Sequence, residues 1–126
     1  MFCPCGSKKP LEACCGRYLS GKEDAPNPEA LMRSRYTAYA LGDLDYIERT
    51  MKGKALKRFN RIATEKSLEG TIWIQLTVLL ATEEGDIGTV QFIASFKQED
   101  QMAAMHEIST FEKVEGKWFY VDGEVG

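Results

Sequence analysis

At Gly70 the hydrophobic pattern of this chain changes period, and that change limits the possible folds more than any other feature of its 126 residues. Before it, apolar residues recur at helical spacing. Asn27 followed by Pro28 is an N-cap with proline in the first helical position, and Gly42 is a fitting stop, which predicts a helix over residues 28–41. Asp43 caps a second, short helix holding Leu44, Tyr46, Ile47 and Met51, and residues 54–67 read as a third. After Gly70 the apolar residues alternate. TIWIQLTVLLAT, GTVQFIASFKQ, MAAMHEISTFEKV and KWFYVD read as four strands, joined by EEGD, by the polar QEDQ region and by the EGK turn. Helices followed by an antiparallel meander predict an α+β fold with the helices packed on one face of a curved sheet.

The first fifteen residues hold all four cysteines, in MFCPCGSKKPLEACCG. In a reducing compartment structural disulfides are disfavoured, and a bridge between the neighbours Cys14 and Cys15 would distort the peptide between them. Four thiolates held close together repel one another unless a cation neutralises them, and tetrahedral Zn²⁺ does so. Pro4 stiffens the first pair, Gly6 and Ser7 permit a tight turn, and PLEACC starts a short helix that stops at Gly16. One knuckle then presents Cys3 and Cys5 from a turn and Cys14 and Cys15 from a helix end. Zn²⁺ through all four is preferred over disulfides or free thiols. Four thiolates close the coordination shell, so such a zinc is structural.

Composition narrows the rest. The length suits one domain with a sizeable core. No basic region followed by an apolar run opens the chain, and no stretch is long enough to span a bilayer, so a soluble cytoplasmic protein is expected. A net charge of -3 gives no nucleic-acid or membrane signal. Lys52, Lys54, Lys57, Arg58, Arg61 and Lys66 interleave with Leu56, Phe59, Ile62 and Ala63 at helical spacing and read as a solvated helix face. RYLSGKEDAPNPEA is polar, carries two prolines and reads as a linker, which divides the chain into a metal motif over residues 1–20 and an α+β domain over 21–126. The larger part is expected to fold without the smaller.

CPCGSKKPLEACCG resembles the SEC-C zinc motif, C-x-C-x8-C followed directly by Cys or His, first known from the tail of the translocation ATPase SecA. ALMRSRYTAYALGDLDYI and HEISTFEKVEGKWFYVDG resemble the YchJ-like family of small bacterial proteins. In that family an N-terminal SEC-C motif precedes a cone-shaped domain of the nuclear-transport-factor-2-like (NTF2-like), cystatin-like type. Together these stretches span nearly the whole chain. One departure stands out: where members often read HERSRF, Ile108 and Thr110 replace the two arginines.

Projected at 100° per residue, Leu31, Met32, Ala38, Tyr39 and Leu41 cover one apolar arc of the first helix. Arg35 falls inside that arc, whereas Arg33 and Thr37 fall on the solvent side. Met105, Glu107, Ser109 and Phe111 share one face of the third strand, and the apolar ends of the row point it inward. An Arg35–Glu107 ion pair beneath the helix is therefore expected, either fixing the helix on the sheet or facing a ligand in a cone cavity. Tyr39, Ser109 and Asp122 are further candidates for that cavity. His106 alternates away from Glu107 and is not expected to be catalytic. Two functions follow. In the first, the chain is a non-catalytic adaptor whose knuckle docks on a cytoplasmic protein or ribonucleoprotein, as the SEC-C knuckle of SecA contacts a chaperone, with Lys8, Lys9 and Arg17 as a basic rim. In the alternative, a small enzyme or small-molecule binder uses the cavity around Arg35 and Glu107.

Overall fold

A computed structural model describes residues 1–125 of the chain. A 3-10 turn over Leu11–Ala13 and the one-turn helix α1 (Gly16–Leu19) precede α2 (Pro28–Leu41), α3 (Leu44–Arg49), α4 (Gly53–Arg58) and α5 (Arg61–Leu68). Strands β1 (Thr71–Glu84), β2 (Ile87–Gln98), β3 (Gln101–Val114) and β4 (Lys117–Val125) follow. They pair antiparallel in the order β1-β2-β3-β4, which is the meander that the alternating runs predict. Among the described residues, no helix is long and apolar enough to cross a membrane.

The helix boundaries follow from capping chemistry. The Asn27 side chain accepts from the Ala30 amide at 2.8 Å and starts α2, and Gly42, at φ 77°, ends it with its amide turned back to the last carbonyls. Asp43 starts α3 by accepting from the Tyr46 amide at 3.0 Å. The third predicted helix is two helices. Phe59 is extended, and the Asn60 side chain accepts from the Ala63 amide at 2.9 Å to open α5. An asparagine offering its own acceptor to the backbone competes with helix continuation and breaks the run there. Consequently Leu56 and Ile62 are exposed and do not form a buried stripe. The neighbouring cations are ion-paired at the surface, Arg58 to Asp122 and Arg61 to Asp45 and Glu48.

Leu31, Met32, Tyr36 and Ala38 of α2 and Ile47 of α3 pack on Val90, Phe92 and Ala94 of β2, Phe111 of β3 and Trp118 of β4. Irregularities in β1 between Trp73 and Gln75 and between Val78 and Leu80 reset its alternation, so that Trp73, Leu76 and Val78 all pair with residues on the helix-covered face. Each extra residue adds twist and bend, which curves the sheet around α2.

The segment after the cysteines is not a free tether. Tyr18 is buried in the main core, and Leu19 packs against both that core and the cysteine cluster. Arg33 Nη1 donates to the Cys5 carbonyl at 3.1 Å, and Arg49 Nη2 donates to the Leu19 carbonyl at 2.9 Å. Burial of a side chain the size of Tyr18 contributes about 1.5–3 kcal/mol, so the knuckle and the α+β domain share part of one core. A polar composition could not reveal this, because one aromatic residue in the segment does the anchoring. Thr37 is corrected for the same reason: it is fully buried, because the knuckle covers the face of α2 that the helical projection assigned to solvent.

Candidate functional site

The four cysteine sulfurs all lie within 4.8 Å of one another, and none is in a disulfide. The backbone builds this from two short pieces. The Cys3 amide donates to the Lys9 carbonyl at 2.9 Å, closing the turn that holds Cys3 and Cys5, and Cys14 and Cys15 follow the 3-10 turn. Cys5 Sγ and Cys14 Sγ are 3.6 Å apart. A tetrahedron with Zn–S bonds of about 2.3 Å has sulfurs about 3.8 Å apart, so the donor set fits that ion. Cys3, Cys5 and Cys15 are buried and Cys14 is half-buried.

Crowding decides the protonation of the metal-free cluster. A hydrogen bond from the Cys15 thiol, and further ones from Ser7, hold Cys5 down to about 4 against the opposing effect of burial. The same Cys5–Cys15 bond, followed by burial, pushes Cys15 up, and burial also raises Cys14. Cys14 and Cys15 therefore hold their protons more firmly than a free thiol does, and a cation binding all four sulfurs must displace them. Outside the four sulfurs, Thr37 Oγ1 lies 3.5 Å from Cys3 Sγ, so α2 touches the cluster directly.

A cavity of about 360 Å³ lies on the other side of α2, between it, the end of α5 and the sheet. Its walls are mainly apolar. Met32, Tyr36 and Tyr39 come from α2, Trp73 from β1, Phe92, Ala94 and Phe96 from β2, and Met105 from β3. Trp73 joins three rings, with centroids 5.7 Å from Tyr36, 6.0 Å from Tyr39 and 5.4 Å from Phe96. The Trp73 indole Nε1 is buried without a hydrogen-bond partner among the described residues. Arg35, Glu107 and Tyr120 supply the charged and phenolic part of the lining.

Arg35 is only 4% exposed, as its place in the apolar arc requires, but its partner is not the one expected. Arg35 Nη1 donates to the Ile47 carbonyl at 2.8 Å and to Thr50 Oγ1 at 2.7 Å. The guanidinium thus caps the C-terminal end of α3, where carbonyls lack helical partners and a positive charge is favourable. Its carbon also lies 4.5 Å from the centroid of the Tyr120 ring. Glu107 Oε2 accepts from Ser109 Oγ at 2.5 Å and from the Tyr120 hydroxyl at 3.2 Å. Tyr120 therefore stands between the two charges, in place of a direct ion pair. Burial lowers the Arg35 pKa, and the nearby tyrosines and Glu107 oppose that. Burial, and then the charge of Glu107, push the Tyr120 hydroxyl up, which keeps it a donor. Gly123 permits this packing: a Cβ there would collide with the Tyr120 hydroxyl and Glu107 Oε2.

The structure thus brings Arg35, Tyr39 and Glu107 to the cavity wall and places Ser109 behind it, fully buried, as a donor to Glu107. Asp122 is not in the cavity. The register shift at Thr110/Phe111 takes it out of step with Tyr120, and its carboxylate accepts from Arg58 Nη2 at 2.6 Å outside. Arg58 first, and then the Gly123 amide, hold the Asp122 carboxyl below its usual range. His106 lies on the opposite sheet face, its Nε2 2.8 Å from Gln91 Nε2. Lys8 and Lys9 are exposed, whereas Arg17 is engaged with the Cys14 carbonyl, the Tyr18 hydroxyl and Glu23. Thr37 and Thr50 were not visible as site residues in the sequence, since a lone threonine on a helix carries no signal of what covers it.

Residues 27–123 match the family model of the YchJ middle NTF2-like domain. Over the whole chain there is similarity to the solution structure of a SEC-C motif containing protein from Rhodopseudomonas palustris. That protein is 41% identical over 100% of this chain and 99% of its own, with a TM-score of 0.92. A SEC-C motif containing protein from Psychrobacter arcticus is 30% identical over 97% of this chain and 81% of its own, with a TM-score of 0.82. A putative calcium/calmodulin-dependent protein kinase type II association domain from Thiobacillus denitrificans, at 14% identity, covers 82% of this chain and 96% of its own, with a TM-score of 0.64, and shares the fold alone. A cysteine cluster of SEC-C spacing and geometry is joined here to an NTF2-like domain that matches by both sequence and shape, and the chain belongs to the YchJ family.

Proposed function

We propose that this protein is a non-catalytic binding module: a structural Zn²⁺ held by Cys3, Cys5, Cys14 and Cys15 secures the knuckle on α2, and the cone cavity takes a small, neutral, amphipathic molecule. The observation that carries the reading is the cavity lining, in which an aromatic and aliphatic wall surrounds one buried cation and one carboxylate. Arg35 and Glu107 offset each other, so a ligand with a net charge gains one attraction and meets one repulsion. A neutral ring with a single polar group faces no such conflict. The lining contains no acid–base pair poised for catalysis, since Glu107 is tied to Ser109 and Tyr120, and His106 is on the far side of the sheet. The zinc has no open position and supplies folding energy and no chemistry.

Titration of ¹⁵N-labelled, zinc-loaded protein with 2-naphthol, 2-naphthoate and 2-naphthylmethylammonium tests this. The neutral probe is expected to give saturable shifts at the Trp73 indole and the Arg35 and Tyr39 amides, at least tenfold tighter than either ion. No saturable shift at those positions with any of the three would overturn it.

Docking of the knuckle on a cytoplasmic protein or ribonucleoprotein is a second reading, supported by one feature. Met1 and Phe2, 75% and 73% exposed, stand at the same tip as Lys8 and Lys9 and give it an apolar as well as a basic surface. Loss of a captured partner on replacing Phe2 with Ser and both lysines with Glu, in protein that retains zinc, is the expected result. Unchanged capture would remove the reading.

A further inference from the structure

Most polar groups in the wall of the cavity beneath α2 already have partners. Arg35 is bound to the end of α3, and Glu107 to Ser109 and Tyr120. At the exposed end, Gln98 Nε2 donates to Thr71 Oγ1 at 3.1 Å, and Thr71 Oγ1 donates to the Ser67 carbonyl at 2.8 Å. The indole of Trp73 differs. It lines the same wall, and its Nε1 is buried with no hydrogen-bond partner among the described residues. Buried donors are paired in the great majority of cases, and a phenylalanine at this position would fill the ring cluster without burying one. The strand geometry also singles Trp73 out. It pairs with Phe96, and the irregularity that follows it, between Trp73 and Gln75, is of the kind that re-aims side chains beside binding sites.

We propose that Trp73 Nε1 donates to a carbonyl oxygen of the cavity ligand, which makes that ligand a small neutral carbonyl compound with a ring-bearing apolar body; this rests on the neutral-ligand reading above. A carbonyl supplies the missing acceptor and adds no donor that would need a partner of its own. The rings of Tyr36, Tyr39 and Phe96 around the indole suit an aromatic or cyclic body. Register fixes where the oxygen is read. Phe92, which pairs with Glu107, lies four residues from Phe96 along β2, roughly 13 Å at the rise of a strand. The carbonyl is therefore held partway along the cavity, away from the Glu107 carboxylate, which would repel its oxygen. A volume of about 360 Å³ is at the lower end for small-molecule sites and keeps the body small.

Titration of the zinc-loaded full chain with acetophenone and with α-methylstyrene, which carries a methylene in place of the oxygen, tests the proposal in the parent and in Trp73→Phe. Acetophenone is expected to give a saturable shift of the Trp73 indole N–H in the ¹⁵N spectrum of the parent, a readout that does not depend on how the variant folds. Loss of ring area in Trp73→Phe weakens both probes alike, whereas loss of the donor weakens acetophenone by about a further fivefold. Circular dichroism and zinc content confirm that the variant is folded. Equal weakening of the two probes, or saturable acetophenone binding that leaves the indole N–H unmoved, would overturn the proposal and leave the neutral-ligand reading in place. So would failure of both probes to bind protein that binds 2-naphthol, and failure of all three would overturn both.

Discussion

Replacing Arg35 by methionine tests how the cavity is built. The substitution keeps the length and the apolar stem and removes two hydrogen bonds and a charge placed over the Tyr120 ring. Hydrogen bonds to a charged group contribute about 1.5–3 kcal/mol each, and a buried cation–π contact about 1–2 kcal/mol. Two effects reduce the loss. The single Thr50 hydroxyl proton is held mainly by the Tyr46 carbonyl at 2.7 Å and reaches the Ile47 carbonyl only as the weaker arm of a shared bond at 3.2 Å, so Thr50 keeps its acceptor and the Ile47 carbonyl is only partly stranded. The desolvation of the guanidinium is also relieved. The net expectation is a destabilisation of about 2–3 kcal/mol. Urea unfolding at fixed free zinc measures it, with double-mutant cycles to assign the partner. Arg35→Met with Thr50→Val should show a coupling of about 1–1.5 kcal/mol, and Arg35→Met with Glu107→Gln about 0.5 kcal/mol or less, because Tyr120 stands between the charges. A larger coupling to Glu107 than to Thr50 would refute the capping geometry and restore the direct ion pair.

Metal analysis of protein purified under reducing conditions should give one Zn²⁺ per chain, and Cys14→Ser with Cys15→Ser should abolish it; retention in that variant would place the metal elsewhere. Thr37→Val should weaken zinc binding about tenfold in a chelator competition while leaving the fold intact, since outer-shell partners of metal ligands commonly act at that scale; an unchanged affinity would make the Thr37–Cys3 contact incidental. Deleting residues 1–20 removes Tyr18 from the core and uncovers Thr37, so the urea midpoint should fall by the equivalent of about 2–4 kcal/mol, and an unchanged midpoint would show the knuckle to be an appendage after all. The carboxyl of Asp122 is depressed below 3.8 by Arg58, so its contribution is present above that pH and is lost as the pH falls through the lower, folded value. Asp122→Asn should therefore flatten the acid limb of the stability curve, and identical limbs in variant and parent would show that the Arg58 contact is not maintained in solution.

Some of this was written into the chain locally, and some was not. Asn27, Asp43 and Gly42 set helix boundaries through bonds to residues no more than four positions away, so the sequence alone located α2 and the start of α3. Alternation located four strands and their turns, and the spacing of the cysteines located the four-sulfur cluster, because each depends on neighbours along the chain. Asn60 carried the same capping signal as Asn27 but was masked by the helical spacing on either side of it. What the sequence could not decide was which surfaces meet. Arg35 was marked as buried by its place among Leu31, Ala38 and Tyr39, yet whether it would face Glu107 or the end of α3 depended on how α3 crosses α2. Asp122 left the cavity because one register shift between β3 and β4 reversed its side, and Thr37 entered the core because the knuckle came to rest on it. Such choices are made by packing between segments distant in sequence, where a single added residue or one seated aromatic changes which side chain meets which.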